Sequence, residues 1–227
     1  MKMPKIVYIQ TTTRCNGHCV YCPFDDVYAD QPVVEMKADD WLRIGMWLAG
    51  HKYEGRISFG LHYEPLDDPR LLTMVQGYRD ALPRCRIELI TQGHGSEYDY
   101  DDIVLRRNVF DHVTRVLPGS KERATSRAGN VSECSEIEGR LRLMEPPCTI
   151  PVDTMCIAAN GNVLLCCQDW RHEAVVGTVE DLDGARLMQL ACAPIVAEQG
   201  YEICQDCMAG KTAEEVGDRL CKRRLTA

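Results

Sequence analysis

Segments that favour β-strands alternate with segments that favour α-helices through the first half of the chain. Strands that alternate with helices form right-handed βαβ units around a parallel sheet. Four strands cannot close an eight-stranded barrel, which typically takes about 250 residues. The sequence therefore predicts an α/β fold with an open, partial parallel β/α barrel. The apolar, β-branched segments expected to form its strands are Lys5–Thr11, Arg56–His62, Arg86–Thr91 and Val113–Leu117.

The pattern changes after residue 117. Residues 118–147 are polar and are predicted to form a connector. Beyond it, Met155–Ala159 and Asn162–Cys166 flank Asn160-Gly161, which predicts a β-hairpin with a type I′ turn. We therefore expect a barrel core over 1–117, a connector over 118–147, and a small α+β module with a hairpin over 148–227.

Composition excludes several classes of function. The net charge is −8 with acidic and basic residues intermixed, which argues against nucleic acid as a partner. No window approaches the roughly 20 apolar residues of a membrane span, and the N-terminus lacks a signal-peptide pattern. A cytoplasmic protein is predicted. Its 13 cysteines, an odd number, then indicate metal ligands rather than a disulfide framework.

Three cysteines follow the first predicted strand at short spacing. Cys15, Cys19 and Cys22 lie in a loop at the carboxyl end of the sheet, where parallel folds place their chemistry. Soft thiolates select zinc or iron–sulfur clusters. Structural zinc needs four ligands, and no fourth cysteine lies nearby. Three thiolates on a four-iron cluster instead leave one iron open to bind a further molecule.

The C-x3-C-x2-C spacing, with the aromatic Tyr21 before the last cysteine, resembles the signature of the radical S-adenosylmethionine (SAM) superfamily. The resemblance implies a 4Fe-4S cluster on Cys15, Cys19 and Cys22 whose open iron chelates SAM. In that family the reduced cluster cleaves SAM to a 5′-deoxyadenosyl radical, which abstracts a hydrogen atom from the substrate.

Two further segments resemble elements of the same family, and one of them, Thr91-Gln92-Gly93 after the third predicted strand, is similar to its Thr-Asn-Gly turn. The stretch from Gly60 to Pro65 is similar to the Gly-Gly-Glu-Pro element that holds the SAM amino group, with His62-Tyr63 where small residues are usual. The resemblance assigns cofactor contacts to Tyr21 and to Gly60, Tyr63, Glu64, Pro65 and Thr91.

The C-terminal cysteines resemble the SPASM/twitch module that follows many radical SAM cores. The resemblance implies a second, auxiliary 4Fe-4S cluster on Cys148, Cys166, Cys204 and Cys207. A zinc ribbon needs the same thiolates and is the alternative. The choice among Cys156, Cys166, Cys167 and Cys221 as ligands stays open.

The resemblance implies an enzyme, a radical SAM oxidoreductase or maturase acting on a carbohydrate-like small molecule or a peptide. An electron donor such as flavodoxin or ferredoxin is expected as a partner. The alternative is a non-catalytic binding protein stabilised by zinc or iron–sulfur clusters.

Overall fold

The computed structural model describes residues 1–17, 22, 24–28, 30–93, 95, 98, 101, 109–115 and 150–198. Its elements follow the alternation that the sequence predicts. The strands are β1 (Ile6–Ile9), β2 (Arg56–Phe59), β3 (Arg86–Thr91), β4 (His112–Arg115), β5 (Thr154–Ile157), β6 (Asn162–Leu164) and β7 (Val175–Thr178). The helices are α1 (Phe24–Tyr28), α2 (Ala38–Gly50), α3 (Leu71–Ala81), α4 (Ile150–Asp153) and α5 (Leu182–Glu198), with 3-10 turns at Pro65–Asp67 and Val179–Asp181.

All seven strands lie in one sheet, in the order β4-β3-β2-β1-β5-β6-β7. The neighbours from β4 to β5 pair in parallel, and β6 and β7 continue the sheet in antiparallel pairing. The mixed α/β class is therefore confirmed, whereas the division into a core, a connector and a module stays a prediction. The hairpin strand β5 pairs directly with β1, so the predicted parallel set gains a fifth strand.

One face of the sheet carries the hydrophobic core. Alternate strand residues such as Val7, Ile57 and Leu89 are fully buried against α2 and α3. This packing follows from the two-residue period of a strand, which turns every second side chain to the same face. The other face keeps Tyr8 and Glu88 only partly buried.

The hairpin between β5 and β6 is confirmed, but its predicted type I′ turn is wrong. A type I′ turn needs positive φ at both central residues. Here Gly161 has φ +84°, and Asn160 is not among the described residues with positive φ. Gly161 N donates to Ala158 O at 2.9 Å, so Ala159 and Asn160 form the centre of the turn and Gly161 supplies the left-handed residue after it.

A buried arginine ties the N-terminus to α4 and α5. Arg186 is fully buried, and its guanidinium donates to Lys2 O at 3.0 Å, Pro151 O at 2.9 Å and Val152 O at 2.6 Å. It therefore satisfies carbonyls of the short helix α4, alongside Thr154 Oγ1, which donates to Ile150 O at 2.8 Å, and Lys5 N, which donates to Asp153 O at 2.7 Å. This contact fixes the chain just before β5 enters the sheet beside β1.

Replacing Arg186 with Met is expected to lower the free energy of unfolding by about 2–4 kcal/mol, because several buried carbonyls lose their donor. The urea midpoint followed by circular dichroism measures the change. Arg43→Met removes an exposed arginine from α2 and is the matched control. Equal midpoints for the two variants would contradict this role.

Candidate active site

A cavity of about 250 Å³ lies where the chain leaves β1, β2 and β3. Such carboxyl-end crevices are the usual ligand sites of parallel sheets. Loops after these strands supply part of its lining, and the turn Cys167–Trp170 after β6 supplies another part. Of the residues that the sequence predicts, the cavity is lined by Cys15, Cys22, Gly60, Tyr63, Glu64 and Thr91.

The loop that carries Cys15 is tied to the segment after β2. Asn16 N donates to Asp67 Oδ2 at 2.9 Å, and Glu64 N donates to Arg14 O at 3.1 Å. Burial raises the pKa of the Cys15 thiol to about 12. Metal binding at Cys15 must therefore displace a proton.

Cys22 lines the same cavity as Cys15. The middle cysteine, Cys19, and the aromatic Tyr21 lie outside the described residues, so their roles stay predictions. An iron–sulfur cluster is bound by soft thiolate ligands. Two thiols from one loop that line one cavity fit this requirement.

Glu64 is a buried carboxylate held by three donors. Oε1 accepts from Thr91 Oγ1 at 2.5 Å and from Leu66 N at 3.0 Å, and Oε2 accepts from Gln92 N at 2.7 Å. Burial raises the pKa of Glu64, and these hydrogen bonds oppose the rise. A carboxylate has about four acceptor positions, so one remains for a cationic ligand group. The site thus fits the ammonium of SAM as well as the cluster.

The rest of the predicted Gly60–Pro65 element is placed by packing. Gly60 has φ +132°, and a Cβ there would lie 2.5 Å from Ile90 O, so only glycine allows this approach to β3. The Tyr63 hydroxyl donates to Ile9 O at 3.3 Å, and burial raises its pKa. Pro65 is buried at the start of the 3-10 turn.

Two adjacent cysteines after β6 face different surroundings. Cys166 packs with Leu165 and Cys192, whereas Cys167 lines the cavity. Both residues lie beyond the end of β6 at Leu164, and hydrogen bonds from the Cys156 and Cys166 thiols lower the pKa of Cys167 well below its usual range. The predicted ligands Cys148, Cys204 and Cys207 lie outside the described residues, as does Cys221.

A histidine links the turn Cys167–Trp170 to the end of β2. His62 is fully buried; its Nε2 donates to Cys167 O at 2.9 Å, and its ring stacks on Trp170 with centroids 4.1 Å apart. The Tyr28 hydroxyl donates its one proton to Trp170 O at 3.1 Å. Its oxygen also lies 3.1 Å from His172 Nε2, so that nitrogen is the donor in the second contact. Helix α1, which follows Cys22, is thereby fixed to the same turn.

Sequence reasoning missed part of the lining. It placed Tyr8 in the first strand without a site role and made no use of Gln168 or Trp170, all of which line the cavity. The only signal at Tyr8 is that its side chain ends in a hydroxyl within an otherwise apolar strand. No sequence signal pairs Gln168 with it, because the two residues are 160 positions apart in the chain.

No protein-family model matches the chain. It is 21% identical over 202 residues to the S-adenosyl-L-methionine-dependent 2-deoxy-scyllo-inosamine dehydrogenase of Niallia circulans, covering 78% of this chain and 79% of that protein. Two solved structures share the fold at 18% identity. BtrN in complex with AdoMet and 2-DOIA has a TM-score of 0.70 over 94% of this chain and 97% of that one. Selenomethionine BtrN in an open conformation has a TM-score of 0.66 over 91% and 92%.

The expected SPASM/twitch module is a wrong interpretation of the C-terminal cysteines. Within the described ranges, no three His, Cys, Asp or Glu side chains are grouped so that they could hold a metal ion. The hairpin on which that interpretation depended is not set apart from the core, because β5 pairs with β1 in the main sheet. Cys166, the one predicted ligand of this set that is described, packs in an apolar cluster.

In the part of the chain that the structure describes, we find no helix with the length and apolarity needed to cross a membrane.

Burial lowers the pKa of His172, although Asp169 opposes the shift. Because the unfolded chain then binds more protons than the folded protein, stability is expected to fall as the pH drops below about 6.5. His172→Asn should reduce this loss, since Asn tolerates the φ of +56° found there. Thermal midpoints at pH 7.5 and 5.5 measure the effect, with the exposed His112→Asn as control. Identical pH dependence in all three proteins would contradict it.

Proposed function

We propose that this chain is a radical SAM oxidoreductase that oxidises a small carbohydrate-like molecule. The observation that carries the proposal is the meeting of Cys15, Cys22 and the buried Glu64 in one cavity at the carboxyl ends of parallel strands. The similarity to a SAM-dependent dehydrogenase over 78% of the chain supports it. A peptide substrate and a maturase role have no comparable support.

In this proposal Cys15, Cys19 and Cys22 hold the cluster, and Glu64 accepts a hydrogen bond from the SAM amino group. When bound, the cluster and SAM supply a 5′-deoxyadenosyl radical that removes one hydrogen atom from substrate. The chain's own residues position these groups. Thr91, Leu66 and the backbone of Gln92 fix the orientation of the Glu64 carboxylate before any ligand arrives.

The proposed oxidation balances with a single-electron carrier. One electron enters to cleave SAM, and one electron and one proton leave when the substrate's carbinol carbon, having lost its hydrogen atom, becomes a carbonyl. The net products are methionine, 5′-deoxyadenosine, the carbonyl compound and a proton. A flavodoxin or ferredoxin is the class of carrier that suits both steps, and the scheme requires one cluster only.

The first test is the iron content and SAM cleavage of protein reconstituted without oxygen. About four irons per chain and 5′-deoxyadenosine formation with dithionite are expected. Cys15→Ala should abolish cleavage. Cys85→Ala is the control, because Cys85 is buried beside Tyr53 and away from the cavity.

Zinc in place of iron, with no SAM cleavage, would overturn the proposal and favour a non-catalytic binding protein. Loss of cleavage in Cys85→Ala as well would show that the assay reports general damage to the fold instead of cluster loss.

Replacing Glu64 with Gln is expected to weaken SAM binding about 10- to 100-fold, because a charge-assisted hydrogen bond becomes a neutral one. Calorimetric titration of the reconstituted protein with SAM measures the affinity. Glu54→Gln removes an exposed carboxylate that pairs with Arg84 and serves as the control. Unchanged affinity in Glu64→Gln, with the iron content intact, would remove Glu64 from the SAM site.

A further inference from the structure

The turn after β3 carries a side-chain amide that no step of the proposed function uses. Gln92 lies in Thr91-Gln92-Gly93, where the similar Thr-Asn-Gly turn has asparagine, so its amide extends one methylene group further. Gln92 lines the cavity, as do Cys15 and Glu64. It therefore shares the cavity with a proposed cluster ligand and with the carboxylate proposed to bind SAM.

The backbone of Gln92 is fixed on both sides. Its N–H donates to Glu64 Oε2 at 2.7 Å, and its carbonyl accepts from Arg115 Nε at 3.2 Å. Gly93 N donates to Thr91 Oγ1 at 2.9 Å, which closes the turn around Gln92. The Gln92 side chain therefore starts from a backbone position that these hydrogen bonds hold in place.

The Gln92 amide lies against the loop of the proposed cluster ligands. Its Nε2 is 4.0 Å from Cys15 Sγ, which is a long hydrogen bond to sulfur. A Cβ added at Gly17 would lie 1.8 Å from the same Nε2, so the lack of a side chain at Gly17 makes room for the amide. Asn16, between these two loop residues, is held through its N–H by Asp67 Oδ2 at 2.9 Å. The loop is thus fixed where the amide meets it.

Negative charges around Cys15 give a hydrogen-bond donor at this place its importance. Burial raises the pKa of the Cys15 thiol, and so do three neighbouring acidic groups, on Cys22, Glu64 and Asp67. Such charges disfavour the addition of an electron to a cluster that Cys15 binds. An N–H donor to the ligand sulfur acts in the opposite sense, because it stabilises the added negative charge. A thiolate has no proton to donate, so a primary amide beside it presents its NH2 group.

We infer that Gln92 is a positioning residue whose side-chain amide donates to the Cys15 sulfur and raises the reduction potential of the cluster. The inference rests on the proposed function and deepens it. The Gln92 backbone orients the Glu64 carboxylate, while its side chain makes the cluster easier to reduce. Easier reduction favours transfer of the electron that SAM cleavage requires from a carrier such as flavodoxin or ferredoxin.

The reduction potential of protein reconstituted without oxygen tests the inference. Electron paramagnetic resonance follows the reduced cluster at a series of fixed potentials, before SAM is added. Gln92→Met keeps the length of the side chain but removes the donor, and should lower the ratio of reduced to oxidised cluster about three- to tenfold at a given potential. A tenfold change corresponds to about 59 mV for a one-electron couple. Equal potentials in Gln92→Met and the unaltered protein would overturn the inference.

Gln76→Met is the matched control, because it removes an exposed amide on α3 that donates to Asp80. Its reduction potential should equal that of the unaltered protein, and a shift as large as in Gln92→Met would overturn the inference. The SAM affinity of Gln92→Met should stay unchanged, since the backbone N–H that donates to Glu64 remains. Weaker SAM binding with an unchanged potential would instead assign the Gln92 side chain to the SAM site and overturn the inference.

A second variant changes the same contact from the loop. Gly17→Ala places a Cβ where the Gln92 amide lies, so it should displace the amide and lower the ratio as much as Gln92→Met does. The double variant should show no further change, whereas additive shifts would overturn the inference. Incomplete cluster loading reduces the signal without moving the midpoint potential. SAM cleavage is measured separately, so cleavage with equal potentials in all variants removes this inference and leaves the proposed function intact.

Discussion

The candidate site depends on one buried carboxylate. Glu64 would be costly to bury alone, and three donors offset that cost: the Thr91 side chain and the Gln92 backbone at the end of β3, and the Leu66 backbone in the turn after β2. The Glu64 backbone also binds the Arg14 carbonyl in the cysteine loop. One residue therefore holds the ends of β2 and β3 and the loop after β1 in a fixed relation, and that relation gives the cavity its shape.

A second set of contacts extends this frame to the C-terminal half of the described chain. His62 and Tyr28 both bind backbone carbonyls of the turn Cys167–Trp170, at 2.9 and 3.1 Å. His62 follows β2, and Tyr28 follows the cysteine loop, so the loops that carry the groups proposed for SAM also position the turn Cys167–Trp170. His62 and Tyr63 are larger than the residues usual in the radical SAM pattern, and both make structural contacts. His62 supports the turn, and Tyr63 forms a hydrogen bond with β1.

Sequence patterns predict those structural features that depend on residues close together in the chain. The bounds of β3 were predicted from Arg86–Thr91, and the hairpin around Asn160-Gly161 was located, because alternation and turn residues act over a few positions. Pairing of β5 with β1 joins residues almost 150 positions apart and leaves no local signal. The same reason hid Tyr8 and Gln168. The SPASM/twitch interpretation was wrong because the spacing of cysteines constrains neighbours in sequence, whereas the tertiary fold decides that Cys166 packs in an apolar cluster and Cys167 lines the cavity.

An anaerobic crystal structure of the reconstituted protein with SAM is the most direct test of the proposed site. We expect a four-iron cluster bound by Cys15, Cys19 and Cys22, with the SAM amino nitrogen within hydrogen-bond distance of a Glu64 oxygen, roughly 2.7–3.1 Å. A zinc ion on these cysteines, or SAM bound with its amino group away from Glu64, would contradict it.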